Sequence, residues 1–96
     1  MNNALLSIQI IPKTNGGEEV IPYVDRAIEV IARSGVKYQV NPLETTMEGD
    51  LDQLLSIVKE MNTAMIAKGS PGVVSQIKIV YNPTGVSMDK LTEKYR

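Results

Sequence analysis

The chain has 96 residues, 43% hydrophobic and 22% charged, with a formal net charge of -1, which fits one domain over 1–96 with a real core and little stability to spare. Its Lys and Arg are scattered rather than clustered and no apolar run approaches the ~20 residues of a membrane span, so the composition points away from nucleic acid and from the bilayer. Cys, His, Trp and Phe are absent, which removes disulfides, thiolate nucleophiles, zinc–thiolate sites and the commonest general base.

Residues 4–11, ALLSIQII, alternate as a strand, with Leu6, Ile8 and Ile10 on one face and Leu5, Ser7, Gln9 and Ile11 on the other. Pro12 ends the run because it has no N–H for a ladder, and KTNGG follows as loop chemistry. The spacing of Val24, Ala27, Ile28 and Ile31 predicts a helix over 19–34, its stripe widened by Val20, Ile21 and Val30. Pro22 fits a first turn, where no intrahelical bond is lost. Glu18 and Glu19 suit the positive end of the dipole, Arg33 the negative end, and Gly35 a left-handed stop.

Residues 36–40 alternate again, with Val36, Tyr38 and Val40 on one face and Lys37 and Gln39 on the other. Asn41 to Glu44 reads as a tight connection, and Thr45 to Glu48 as a short returning strand. A second helix is expected over 50–68, with Asp50 as N-cap, Gln53 completing a capping box, and Leu51, Leu54, Leu55, Val58, Met61 and Met65 as the buried stripe. Gly69 and Pro71 end it. Residues 73–81 form the last strand, with Val73, Ser75, Ile77, Ile79 and Tyr81 facing the helices and Val74, Gln76, Lys78 and Val80 facing away. After the NPTG turn, Ser87 is placed to cap a short polar helix over 88–95.

The order β-α-β-β-α-β predicts an α+β, ferredoxin-like domain with strand order 4-1-3-2 and both main helices on one face of an antiparallel sheet. The other face then lacks helices. It carries Leu5, Ser7, Gln9, Ile11, Lys37, Gln39, Thr46, Glu48, Val74, Gln76, Lys78 and Val80, a mixture of apolar and uncharged polar groups. Such a patch predicts packing against another copy, sheet to sheet or against the copy's C-terminal helix. The plainer alternative is an ordinary half-polar antiparallel sheet. Polar groups buried at a seam need partners, either one another or a small polar ligand such as a flat heterocycle with amino and ring-nitrogen groups.

Catalysis has little to stand on. Asp50 and Asp52 suit a helix start and Glu44 an exposed turn, which leaves Glu48 without a base or nucleophile partner. No catalytic residue, metal ligand set or cofactor is therefore expected. Gly16-Gly17 lacks the phosphate-loop pattern, and Met47, Met61 and Met65 read as core.

SIQIIP (7–12), YVDRAIEVIARSGVKY (23–38), PLETTMEGD (42–50) and SQIKI (75–79), in that order, resemble the thiamine-binding-like family, small proteins of unknown function related to the tandem YkoF-type domains. The ending SMDKLTEKYR is similar to a bacterial branch with an added C-terminal helix. The chain departs from many relatives at Gly72-Val73-Val74, where they carry a basic residue, and at Val80, where an acidic one is common. The resemblance implies a ferredoxin-like fold, a tetramer built from sheet-to-sheet dimers, binding of thiamine or its hydroxymethylpyrimidine moiety and no catalysis; the absence of Cys fits a cytoplasmic setting. It carries Thr45, Thr46 and Glu48 onto the family's T-T-x-E element and Ser7 onto the strand-one Ser; Gln9 and Gln76 join the candidate ligand-binding set from the face alone. Two rivals stay open: a structural or regulatory module with no small ligand, and an enzyme using the same crevice.

Overall fold

In the computed structural model, which describes residues 2–96, β1 (Ala4–Pro12) is the axle of a four-stranded antiparallel sheet. It pairs with β3 (Thr45–Gly49) on one side and β4 (Val73–Tyr81) on the other, and β2 (Lys37–Val40) pairs with β3. The order β2-β3-β1-β4 is the expected ferredoxin-like one. Two long helices, α1 (Ile21–Ser34) and α2 (Leu51–Lys68), cover one face. Leu6, Ile31, Met47, Leu54, Met61 and Met65 are fully buried between the layers, each such side chain contributing roughly 1.5–3 kcal/mol by leaving water.

The helices differ from expectation in their details. α1 starts at Ile21, not residue 19, and Val20 and Ile21 are exposed rather than part of the stripe. Glu18 instead closes the preceding loop, accepting from the Asn15 N–H at 3.1 Å and the Tyr23 hydroxyl at 3.2 Å. Burial, then Glu18, pushes the Tyr23 phenol above its usual pKa. In α2, Ile57 is buried and Leu55 exposed. A core-facing row through Leu54, Ile57, Met61 and Ala64 keeps the 3–4 spacing that Leu55 breaks. Asp50 occupies the N-cap position without a side-chain cap bond; the Leu51 N–H is taken by the Asn3 amide oxygen at 3.0 Å, a cap supplied from the start of β1. Gly69, at φ 117, ends α2 as foreseen.

The second sheet face is not bare, which corrects the expectation that it lacks helices. After β4 the chain turns back along the N-terminus, with the Asn82 N–H donating to the Asn3 carbonyl at 2.8 Å and the Val86 N–H to the Asn2 carbonyl at 3.1 Å. α3 (Met88–Thr92), capped by Ser87, and a 3₁₀ turn over Glu93–Tyr95 then lie across the β2–β3 end of that face. Leu5 and Met88 are buried there. Ile11, Val74 and Val80 stay exposed on the remainder. Among the described residues, no helix is long and apolar enough to cross a membrane.

Candidate functional site

Strand alternation sends every second side chain to the α3 side of the sheet, and the register lines them up in rows. One row, Gln39, Thr46, Ser7 and Lys78, crosses all four strands and is polar throughout. The next row toward α3 is Lys37, Glu48, Leu5 and Val80. On the other side Gln9 stands opposite Gln76.

The C-terminal segment is anchored to these rows by three polar contacts. Glu48, only 8% exposed, accepts from the Met88 N–H through Oε1 at 2.9 Å and from Asn2 Nδ2 through Oε2 at 2.8 Å. The Lys37 ammonium pairs with Asp89, which raises the Lys37 pKa above its usual value. The Arg96 guanidinium donates to Gln39 Oε1 at 2.9 Å. Between this segment and the sheet lies a crevice of about 170 Å³, lined by Leu5, Gln39, Asn41, Thr46, Leu91 and Thr92, with Met88 and Arg96. It is smaller than the ~300–1,000 Å³ of drug-sized ligand sites, and it suits one small ring.

Beside the crevice, the Ser7 hydroxyl is buried with no hydrogen-bond partner, the one such side-chain atom among the described residues. A buried polar atom left unpaired is costly. The Glu44 carboxylate is its neighbour, short of a well-formed hydrogen bond. The Ser7 hydroxyl first, and then the Lys78 ammonium 3.0 Å from Oε1, hold the Glu44 carboxyl below the usual carboxylate range. Glu44 therefore reaches from the β2–β3 turn across β1 to β4. Sequence reasoning placed it in an exposed turn. The missed signal is the period of two through Glu44, Thr46 and Glu48, which extends the strand's alternation one step into the turn.

The candidate residues thus separate. Ser7 and Thr46 stand together with Gln39, Glu44 and Lys78. Gln9 and Gln76 lie one row away. Glu48 is engaged beneath α3. Thr45, 5% exposed, faces the helices opposite Ile8 and Val40, where it lines a separate hollow under the 41–44 turn with Ile28 and Met61. A larger groove, about 630 Å³ between α1 and α2, lies on the helix side of the sheet, away from these groups. Its Arg26 and Arg33 are both engaged by Glu29, at 2.9 and 2.6 Å. Among the described residues no cluster of three or more Asp and Glu could hold a metal ion.

Residues 6–96 match the family model described as thiamine-binding protein. The chain is 43% identical to a UPF0045 protein of Clostridium perfringens over the full length of both. Among solved structures, it is similar to a Bacillus cereus domain of unknown function, with TM-score 0.92 and 40% identity, over 99% of this chain and 92% of that one. It is also similar to a Thermotoga maritima protein provisionally described as a thiamine biosynthesis/salvage protein, with TM-score 0.87 and 32% identity, over 98% of this chain and 99% of that one.

Proposed function

This chain belongs to the thiamine-binding protein family, and on that footing we propose that it captures thiamine or its hydroxymethylpyrimidine half without chemical change, at the edge of the α3 crevice. The observation that carries this reading is the buried, unpaired Ser7 hydroxyl beside a carboxylate held ionised. An aminopyrimidine supplies what this pair lacks: amino hydrogens for Glu44 and a ring nitrogen to accept from Ser7. Thr46 and Gln39 orient the ring, and Leu5 and Leu91 give it apolar surface. Glu48 acts one step removed, holding α3 as a wall of the crevice while adding negative charge beneath a cationic ligand. The pyrimidine fills the space, and the thiazolium of intact thiamine extends over Gln9 and Gln76.

The crevice is open on one side, and Ile11, Val74 and Val80 are exposed next to it. In this reading a second copy packs sheet to sheet over them, closes the site, and builds toward a cytoplasmic homotetramer. The test is a thermal-shift series with thiamine, its phosphates and hydroxymethylpyrimidine. A ligand that binds only the native state stabilises it by about 2.7 kcal/mol at a hundred times its Kd. A raised melting temperature with at least one of them is expected. No shift with any would leave a structural or regulatory module, and turnover would make the protein an enzyme.

A further inference from the structure

Beyond α3 the chain changes character. Met88 is buried with its N–H fixed by Glu48, and Thr92 closes the helix by donating its hydroxyl to the Met88 carbonyl at 2.9 Å. The 3₁₀ turn and Arg96 that follow are held far more loosely. Tyr95 is 76% exposed, and the Lys94 ammonium lies over its ring, 5.1 Å from the centroid, a contact internal to the tail. The Arg96 N–H reaches the Glu93 carbonyl only at 3.4 Å. Among the described residues, one hydrogen bond joins this tail to the sheet, from Arg96 Nη2 to Gln39 Oε1 at 2.9 Å. It is exposed, so water competes for both groups and the bond adds little net stability.

That bond falls on a residue the crevice needs. Gln39 Nε2 donates to Asn41 Oδ1 at 3.3 Å while the Gln39 oxygen is covered by the guanidinium, and all three residues line the crevice. A ring oriented by Gln39 must take that oxygen, and Arg96 stands in the way. The guanidinium is also chemically close to the ligand. It is flat, stacks on other flat groups, and presents N–H donors in the plane of a trigonal C–N frame with no acceptor. An aminopyrimidine likewise presents in-plane amino hydrogens on a flat ring.

We propose that Arg96 is a built-in competitor: its guanidinium holds the donor position at Gln39 in the free protein, and a planar amino-heterocycle binds by displacing it and lifting the 93–96 tail. The inference rests on the reading of the crevice given above, in which Gln39 orients the ring. α3 stays in place, because Met88 is buried and Glu48 holds its N–H. The crevice therefore keeps its wall, with Leu91, while the tail leaves. The exchange conserves hydrogen bonds. Gln39 trades one donor for another, and the freed guanidinium is taken up by water. The apparent Kd is raised by the fraction of free molecules in which the tail is up, entering as its inverse.

Isothermal titration with hydroxymethylpyrimidine tests this, at a mildly alkaline pH where the ring is uncharged and repulsion by the Arg96 charge plays no part. Arg96→Ala should bind it about three- to ten-fold tighter than the native chain. Arg96 is exposed, so the substitution leaves folding alone, and urea denaturation verifies this. In the native protein, the Arg96 guanidinium NMR resonances should move onto those of free arginine as the pyrimidine is added. Equal or weaker binding by a folded Arg96→Ala would overturn the displacement and leave the crevice reading intact. Guanidinium resonances that stay fixed while the pyrimidine binds would do the same. If neither chain binds hydroxymethylpyrimidine or thiamine, both readings fall. Binding by Arg96→Ala alone would support the proposal in its strongest form, with the tail down in nearly every free molecule. Should Arg96→Ala fail to fold, the native resonances decide.

Discussion

The backbone N–H of Met88 donates to Glu48 Oε1 at 2.9 Å, a bond that ties the C-terminal helix to a strand forty residues earlier in the chain. The carboxylate is buried and its other oxygen is taken by Asn2. The segments around Asn2 and Met88 are thus held by one side chain, which forms the crevice wall together with the Lys37–Asp89 and Arg96–Gln39 contacts.

Glu48→Ala should therefore act on stability before it acts on binding. It strands the Met88 N–H and the Asn2 amide, for a cost of about 1–3 kcal/mol, and it frees residues 88–96. Urea denaturation should show the loss, and limited proteolysis should cut the C-terminal segment faster. A variant with native stability and an intact C-terminus would remove Glu48 as the anchor.

Ser7→Ala separates folding from binding. The hydroxyl makes no well-formed hydrogen bond in the free protein, so relief of its buried polarity offsets the loss of its support for the Glu44 carboxylate, and stability should change by less than about 1 kcal/mol. The same change removes a ligand donor, and affinity for thiamine or hydroxymethylpyrimidine measured by calorimetry should fall several-fold. A destabilised variant of unchanged affinity would contradict both halves.

The two adjacent threonines should behave differently. Thr46 borders the crevice, whereas Thr45 faces the helices. Thr46→Val is expected to weaken binding and Thr45→Val to leave it near native, with isothermal titration as the readout. Equal effects would mean that the ligand sits elsewhere.

Glu44 gives a pH signature. Its pKa is held below the ordinary value of 4.5 in the folded chain, by the Ser7 hydroxyl and then by Lys78. A carboxyl depressed in this way adds stability above its unfolded pKa and loses it as pH falls through the folded one. The stability difference between native protein and Glu44→Gln should thus be constant near neutrality and shrink as pH drops below 4.5. Denaturation series at stepped pH check this; a gap independent of pH would show that the carboxylate is not stabilised in the fold.

Much of the architecture follows from local periodicity. Alternation in β1, β3 and β4 assigns their faces, and the 3–4 spacing in α1 and α2 assigns theirs, because burial of a strand or helix face repeats at the period of the backbone. Errors arise where something distant intervenes. The start of α1 shifts because Glu18 is drawn to Tyr23. The cap of α2 comes from Asn3, which has no position in a local capping pattern. Glu44 has turn composition around it, yet its place in the alternation with Thr46 and Glu48 aims it at the sheet.

The sequence by itself determined the order of elements, the strand pairing scheme and the side of the sheet on which Ser7, Thr46 and Glu48 emerge. Those depend on contacts between neighbours in the chain and on crossover handedness. Only the tertiary structure decided that α3 folds back over Glu48, that Ser7 is left unpaired beside Glu44, and that Ile77, Ile79 and Tyr81 on the edge strand stay exposed. Each of these depends on which distant segments pack against the same surface. A residue's own neighbours in the chain carry no record of that.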